Sequence, residues 1–172
     1  MKLYIIRHGE TDSNANGIVQ GWLDTELNEK GLAQAVEAAK QFDKPIDAIY
    51  SSDLKRATQT ALELRKKYPT VPYIEDARLR ERNFGDAAGT RISNRDWEQL
   101  WSLNDSSTIP NAETLNDFSE RVKSFLDELR TKPYTSVLVV AHGGVLNQVQ
   151  STLYVDHQHY SHANASVLEV DI

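Results

Sequence analysis

The chain contains no cysteine, which excludes disulfide frameworks, thiolate metal sites and a cysteine nucleophile. Long apolar runs are also missing. The first apolar stretch, Leu3 to Ile6, is closed on either side by Lys2 and Arg7. That is too short for a membrane span or a signal-peptide core, so no membrane partner is expected and the expected compartment is the cytoplasm. Positive charge is in deficit: 19 Lys and Arg against 25 Asp and Glu give a net charge of -6. Broad nucleic-acid binding, which needs a basic face, is therefore not expected. A small anionic substrate stays open, because a few cations in a cleft dominate their own local field. No repeat and no compositionally simple linker interrupts the chain.

What is present suits one compact domain. The 172 residues are 40% hydrophobic and 26% charged, enough for a sizeable core and ordinary for a globular protein. Short apolar runs alternate with helical patterns. Leu3 to Ile6, Asp47 to Tyr50, Val137 to Ala141 and the alternating Ser166 to Val170 read as strands. Val71 to Ile74 is a weaker strand, placed at an edge or a strand start by Pro72. Leu32, Ala35, Val36, Ala39 and Phe42 recur at helical spacing behind a candidate N-cap, Asn28. Further helices carry Ala57, Ala61 and Leu64; Phe118, Val122, Phe125 and Leu129; and Val145, Leu146 and Val149. The alternation predicts a three-layer α/β fold, a mostly parallel sheet flanked by helices, over residues 1–172. Residues 86–112 break the rhythm and are expected to form a short insert near the pocket, with a helical turn around Ser93, Trp97 and Trp101.

Three strands run into chemistry-bearing residues. The first leads to Arg7-His8-Gly9, the second to Arg56 early in the next helix, and the fourth to His142-Gly143-Gly144. In open α/β sheets ligands bind beyond the carboxyl ends of the strands. A parallel sheet would thus gather two arginines, two histidines and a glycine-opened helix N-terminus. Arginine forks match phosphate oxygens, and free N–H groups at a helix start favour negative charge. A compact, doubly charged oxyanion is the expected guest, and Gly9 is expected to let the backbone pass close to whatever His8 contacts.

Arg7-His8-Gly9-Glu10-Thr11 with Asn14, then Gln20-Gly21-Trp22-Leu23-Asp24, then Ser51 to Ala61, then Leu79-Arg80-Glu81 with Phe84-Gly85, and finally Val139 to Gly144 form an ordered series. This series resembles the histidine phosphatase superfamily, with its phosphoglycerate mutase-like fold. Ala87 and Ala88 stand where phosphatase members commonly have Trp-Glu, and Glu26 where many have proline. The resemblance implies a histidine acid phosphatase-type phosphoric monoester hydrolase, independent of metal and cofactor, acting on a small phosphorylated metabolite. It implies that His8 is the nucleophile and forms a phosphohistidine. Arg7, Arg56 and a protonated His142 would stabilise the transferring phosphoryl group, and Glu81 would be proton donor and acceptor. Asn14, Gln20, Gly21 and Gly143 would join Arg7, Arg56 and His142 in binding phosphate, while Glu10 would brace the loop.

Two alternatives stand beside this reading: a phosphoglycerate mutase, and a catalytically inactive phosphate-binding or interaction module. The cluster Asp156, His157, His159 and His162 invites a metal reading, but no helical or strand spacing aims these side chains at one point. No metal site is expected there. Trp97 and Trp101, one helical turn apart, either pack the insert onto the domain or line the pocket.

Overall fold

Every second residue of the central strands faces the opposite side of the sheet, and the sequence is apolar at both parities. That pattern demands helices on both faces. The computed structural model describes residues 1–91, 109–154 and 161–172. Strands β1 (Lys2–Arg7), β2 (Ala48–Ser51), β3 (Tyr73–Glu75), β4 (Ser136–Ala141) and β5 (Val167–Asp171) form one sheet in the order β3-β2-β4-β1-β5. All pairings are parallel except β1 with β5, which runs antiparallel at one edge. Pro72 directly precedes β3, the opposite edge strand. Its carbonyl accepts from Ile49 N–H at 2.9 Å, and its lack of an N–H is tolerated at the start of an edge strand.

The helices are α1 (Asp12–Ala15), α2 (Glu29–Gln41), α3 (Lys55–Arg65), α4 (Leu115–Arg130) and α5 (Gly143–Leu153). Leu3, Ile5, Val137, Val139 and Tyr50 point to one face and bury Phe118, Val122, Phe125, Leu129, Leu146 and Val149 of α4 and α5. Tyr4, Ile6, Leu138, Val140 and Ile49 point to the other and meet Phe42, Ala57, Ala61 and Leu64. The three layers are thus two cores sharing one sheet. Truncating a fully buried member such as Leu64 to alanine is worth about 2–5 kcal/mol.

Helix starts are fixed locally. Asn28 caps α2 by accepting from Gly31 N–H at 2.8 Å, and Thr114 caps α4 by accepting from Asp117 N–H at 2.9 Å. Helix α5 differs: its N-cap, His142, makes no capping bond. The first N–H groups of α5 are therefore left for other acceptors. Of the insert, the described ends are pinned by two isolated bridges, Ile18 with Arg91 and Phe84 with Ala112. Trp97, Trp101 and the expected turn at Ser93 lie outside the described residues, as do Asp156, His157 and His159.

Candidate active site

The register of β1 beside β4 sets the site. Arg7 pairs with Ala141, so His8 and His142 leave neighbouring strands at the same level. Their ring centroids lie 5.0 Å apart. His8 is 3% exposed, His142 0% and Arg56 1%. Such burial of polar and charged side chains at one point demands a reason.

His8 Nδ1 lies 2.7 Å from the carbonyl oxygen of Gly9. A carbonyl can only accept, so Nδ1 carries the proton and Nε2 presents a lone pair. Burial first, then Arg56 and Arg7, push the His8 pKa well below its ordinary value, despite the opposing Gly9 contact. The ring is held neutral, as a nucleophile must be. The backbone around it is tied on three sides. Gly9 N–H donates to Thr60 Oγ1 at 3.1 Å, Asn164 Nδ2 donates to the His8 carbonyl at 3.0 Å, and His8 N–H donates to the Ala141 carbonyl at 2.9 Å.

Gly9 serves this loop differently from the sequence-based expectation. A Cβ there would lie 2.4 Å from the carbonyl oxygen of Gly31, and one on Gly31 would lie 2.0 Å from that of Glu10. The glycine pair lets the loop press on the start of α2, which fixes His8 from behind. Glu10 stays in that contact too, accepting from Asn28 at 3.1 Å and Lys30 at 2.7 Å. It braces the loop.

Arg56 reaches back from α3 and donates Nη1 to the Leu23 carbonyl at 2.7 Å and Nη2 to the Gly21 carbonyl at 2.8 Å. Burial pushes its pKa down to about 10, with Glu81 and Asp24 opposing. Arg7 donates to the carbonyl of His162, the one member of the histidine cluster within the described residues. Three buried nitrogens are left over: Nε of Arg7, Nε of Arg56 and Nδ1 of His142 have no hydrogen-bond partner among the described residues. A Cβ on Gly143 would sit 3.7 Å from Arg7 Nε, so the guanidinium lies over the start of α5.

His142 corrects the expectation of an imidazolium. Burial, Arg56, His8, Arg7 and Arg121 together push its pKa well below the ordinary value, so the ring is neutral in this cationic pocket. Its Nε2 meets Ser52 Oγ at 2.9 Å. Its Nδ1 is the unpartnered end, open to a ligand. Ser52 is a contributor that its serine pair and strand-end position did not distinguish in the sequence.

Glu81 stands at the other side of the α5 start. Its Oε2 accepts from Gly144 N–H at 3.1 Å and its Oε1 from Arg82 N–H at 2.9 Å. Asn14 Oδ1 is engaged by Thr11 N–H at 3.2 Å and by Asn164 Nδ2 at 3.4 Å, leaving its own Nδ2 as the end available to a ligand. Gln20 and Gly21, expected among the phosphate contacts, also tie neighbouring groups together through their oxygens. Gln20 Oε1 accepts from Thr11 at 2.9 Å and Thr25 at 2.5 Å, and Gly21 offers its carbonyl to Arg56. Among the described residues no group of His, Asp and Glu is arranged to hold a metal ion, and no helix is long and apolar enough to cross a membrane.

A neutral histidine lone pair, two mostly buried guanidiniums, an uncapped helix start and an adjacent carboxyl define a centre built to accept and transfer an oxyanion. The model of the histidine phosphatase superfamily (branch 1) matches residues 3–172, and the chain belongs to that family. Putative phosphoserine phosphatase 2 of Hydrogenobacter thermophilus is 36% identical over 155 residues, covering 86% of this chain and 76% of that protein. Metal-independent phosphoserine phosphatase of Arabidopsis thaliana is 35% identical over 159 residues, 86% of this chain and 66% of that one. Among solved structures, phosphoglycerate mutase from Thermus thermophilus superposes with a TM-score of 0.80 at 31% identity, covering 99% of this chain and 93% of its own.

Proposed function

We propose that this protein hydrolyses phosphomonoesters of small metabolites, without metal, through a phosphohistidine on His8. The observation that carries the reading is the set of buried, unpartnered nitrogens on Arg7, Arg56 and His142 beside a histidine whose proton is fixed on Nδ1. An unsatisfied buried polar group costs about 1–3 kcal/mol. Three of them at one point are explained by a guest with several acceptor oxygens.

In the first step His8 Nε2 attacks phosphorus and a P–N bond forms as the ester P–O bond breaks. The leaving alkoxide takes a proton from Glu81. In the second step water attacks the phosphorus, Glu81 takes its proton, and the P–N bond breaks to return the Nε2 lone pair. Arg7, Arg56 and the Nδ1–H of His142 hold the equatorial oxygens, with Asn14 Nδ2 and Gly143 N–H as further donors. Two fixed guanidiniums and a helix start supply the positive field that a metal supplies elsewhere.

Relatives named as phosphoserine phosphatases, one of them metal-independent, support hydrolysis of a small phosphorylated substrate. The acid-phosphatase character of the assignment rests on the histidines, which burial and arginine neighbours keep neutral into mildly acidic solution. The test is covalent trapping. Brief mixing with a labelled phosphomonoester should label the wild type with an acid-labile, alkali-stable phosphoryl group, and His8→Ala should show neither label nor turnover. An alkali-labile label, or one retained in His8→Ala, overturns the reading.

A further inference from the structure

Glu81 lies on no regular helix or strand, so something else must hold a carboxyl that has to meet the leaving oxygen within a few tenths of an ångström. It follows the short turn Ala77–Leu79 and precedes a loop. On α4, Arg121 faces this segment with every donor engaged. Its Nε donates to Glu113 Oε1 at 2.6 Å. Its Nη1 donates to the carbonyls of Arg78 at 2.6 Å and Arg80 at 2.8 Å. Its Nη2 donates to the Glu81 carbonyl at 2.8 Å and to Glu113 Oε2 at 2.9 Å. A guanidinium has five N–H groups, and all five are matched here.

The partner carboxylate extends the clamp. Glu113 Oε2 also accepts from Asn83 N–H at 3.0 Å, its N–H donates to the Asn83 carbonyl at 2.9 Å, and its carbonyl accepts from Arg82 Nε at 3.0 Å. From the opposite side the indole of Trp22 donates to the same Glu81 carbonyl at 2.8 Å. Trp22 is itself held by Arg80, whose guanidinium lies 4.9 Å from the ring centroid and forks onto Asp53 at 2.7 and 2.5 Å. The main chain of Glu81 is thus gripped by α4 and by the loop that also receives Arg56.

We infer that Arg121, with Trp22, is the positioning device for Glu81: it sets the backbone from which the carboxyl reaches the leaving oxygen. The inference rests on the proposed acid role of Glu81 and extends it to residues that do not touch substrate. A lysine cannot replace Arg121, since a single ammonium offers three donors without the planar fork. Misplacing a reacting group by about 1 Å costs on the order of 100-fold in rate.

The experiment is a mutant cycle read in kcat/KM on two substrates, an alkyl phosphate whose leaving group needs a proton and a nitrophenyl phosphate whose leaving group needs little. Arg121→Lys should lower kcat/KM on the alkyl ester about 100-fold and on the aryl ester only slightly. The same change placed in Glu81→Gln should cost almost nothing further, because the group it positions can no longer give a proton. Trp22→Phe, which keeps an aromatic ring but removes the pyrrole ring with its N–H, should show the same pattern to a smaller degree. It remains informative where Arg121→Lys fails to fold. Equal losses on both esters, or a loss that persists in full in the Glu81→Gln background, assign these residues a general structural role and overturn the inference. If Glu81→Gln alone leaves the alkyl ester unaffected, it is the acid assignment that fails, and the inference with it.

Discussion

Lowering the pH from 7.5 to 5.5 should destabilise this protein through two residues, His8 and His142. Both are buried and held neutral by desolvation and by the adjacent guanidiniums, so their folded pKa values lie well below the ordinary 6.5. The unfolded chain has no such constraint, and its two imidazoles take up protons as the pH falls through that value. The unfolded state then binds more protons than the folded one, so stability rises with pH across this window and falls on acidification. At pH 5.5 each histidine favours the unfolded state by at most about 1.4 kcal/mol, against about 0.1 kcal/mol at pH 7.5. The pair together therefore removes up to about 2.7 kcal/mol from a total of typically 5–15 kcal/mol. Carboxylates with depressed pKa values, such as Asp47 and Asp53, lose their contribution only at lower pH, as it falls from the ordinary carboxylate value toward their lower folded one. The assay is urea unfolding at the two pH values for wild type and for the double variant His8→Ala with His142→Ala. The variant should lose most of the difference. A wild-type stability that is flat between pH 7.5 and 5.5, or a double variant that keeps the full decline, refutes the claim that the pocket holds both rings neutral.

Arg56→Lys should lower kcat on the order of 100-fold or more in a steady-state assay, because it withdraws a preorganised donor from the transferring group and abandons the carbonyls of Gly21 and Leu23. Turnover should survive EDTA, and activity lost to chelation and restored by zinc or magnesium would defeat the metal-free mechanism. Gly9→Ala should destabilise the fold by about 1–3 kcal/mol in thermal unfolding, since its Cβ would lie 2.4 Å from the Gly31 carbonyl oxygen. With 3-phosphoglycerate and a bisphosphoglycerate primer, free phosphate should form faster than 2-phosphoglycerate; rapid isomerisation with little phosphate release would favour the mutase alternative.

By itself the sequence determined the layers and the functional groups that the proposed chemistry would use. Apolar runs of both parities in Leu3 to Ile6 and Val137 to Ala141 leave no choice but a sheet covered on both faces, and helical spacing supplies the covers. Ordered motifs carry His8, Arg56, Glu81 and His142 because each chemistry needs a particular functional group, and residue identity is what a sequence records. Tertiary structure alone decided the state and the partners of those groups. His142 reads as a cation until its burial beside two guanidiniums is seen, because a pKa depends on neighbours brought together from distant parts of the chain. That Gly9 must be a glycine because α2 presses against it shows only once the chain is folded. That the oxygens of Gln20 and Gly21 tie Thr11, Thr25 and Arg56 together is equally a matter of the fold. Arg121 and Ser52 carry no local signal, since an arginine on an amphipathic helix and a serine after a strand are commonplace. Their roles arise from long-range hydrogen bonds, across 40 residues from Arg121 to Glu81 and 90 from His142 to Ser52. Such bonds exist only once the chain has folded and excluded the water that would otherwise satisfy those donors.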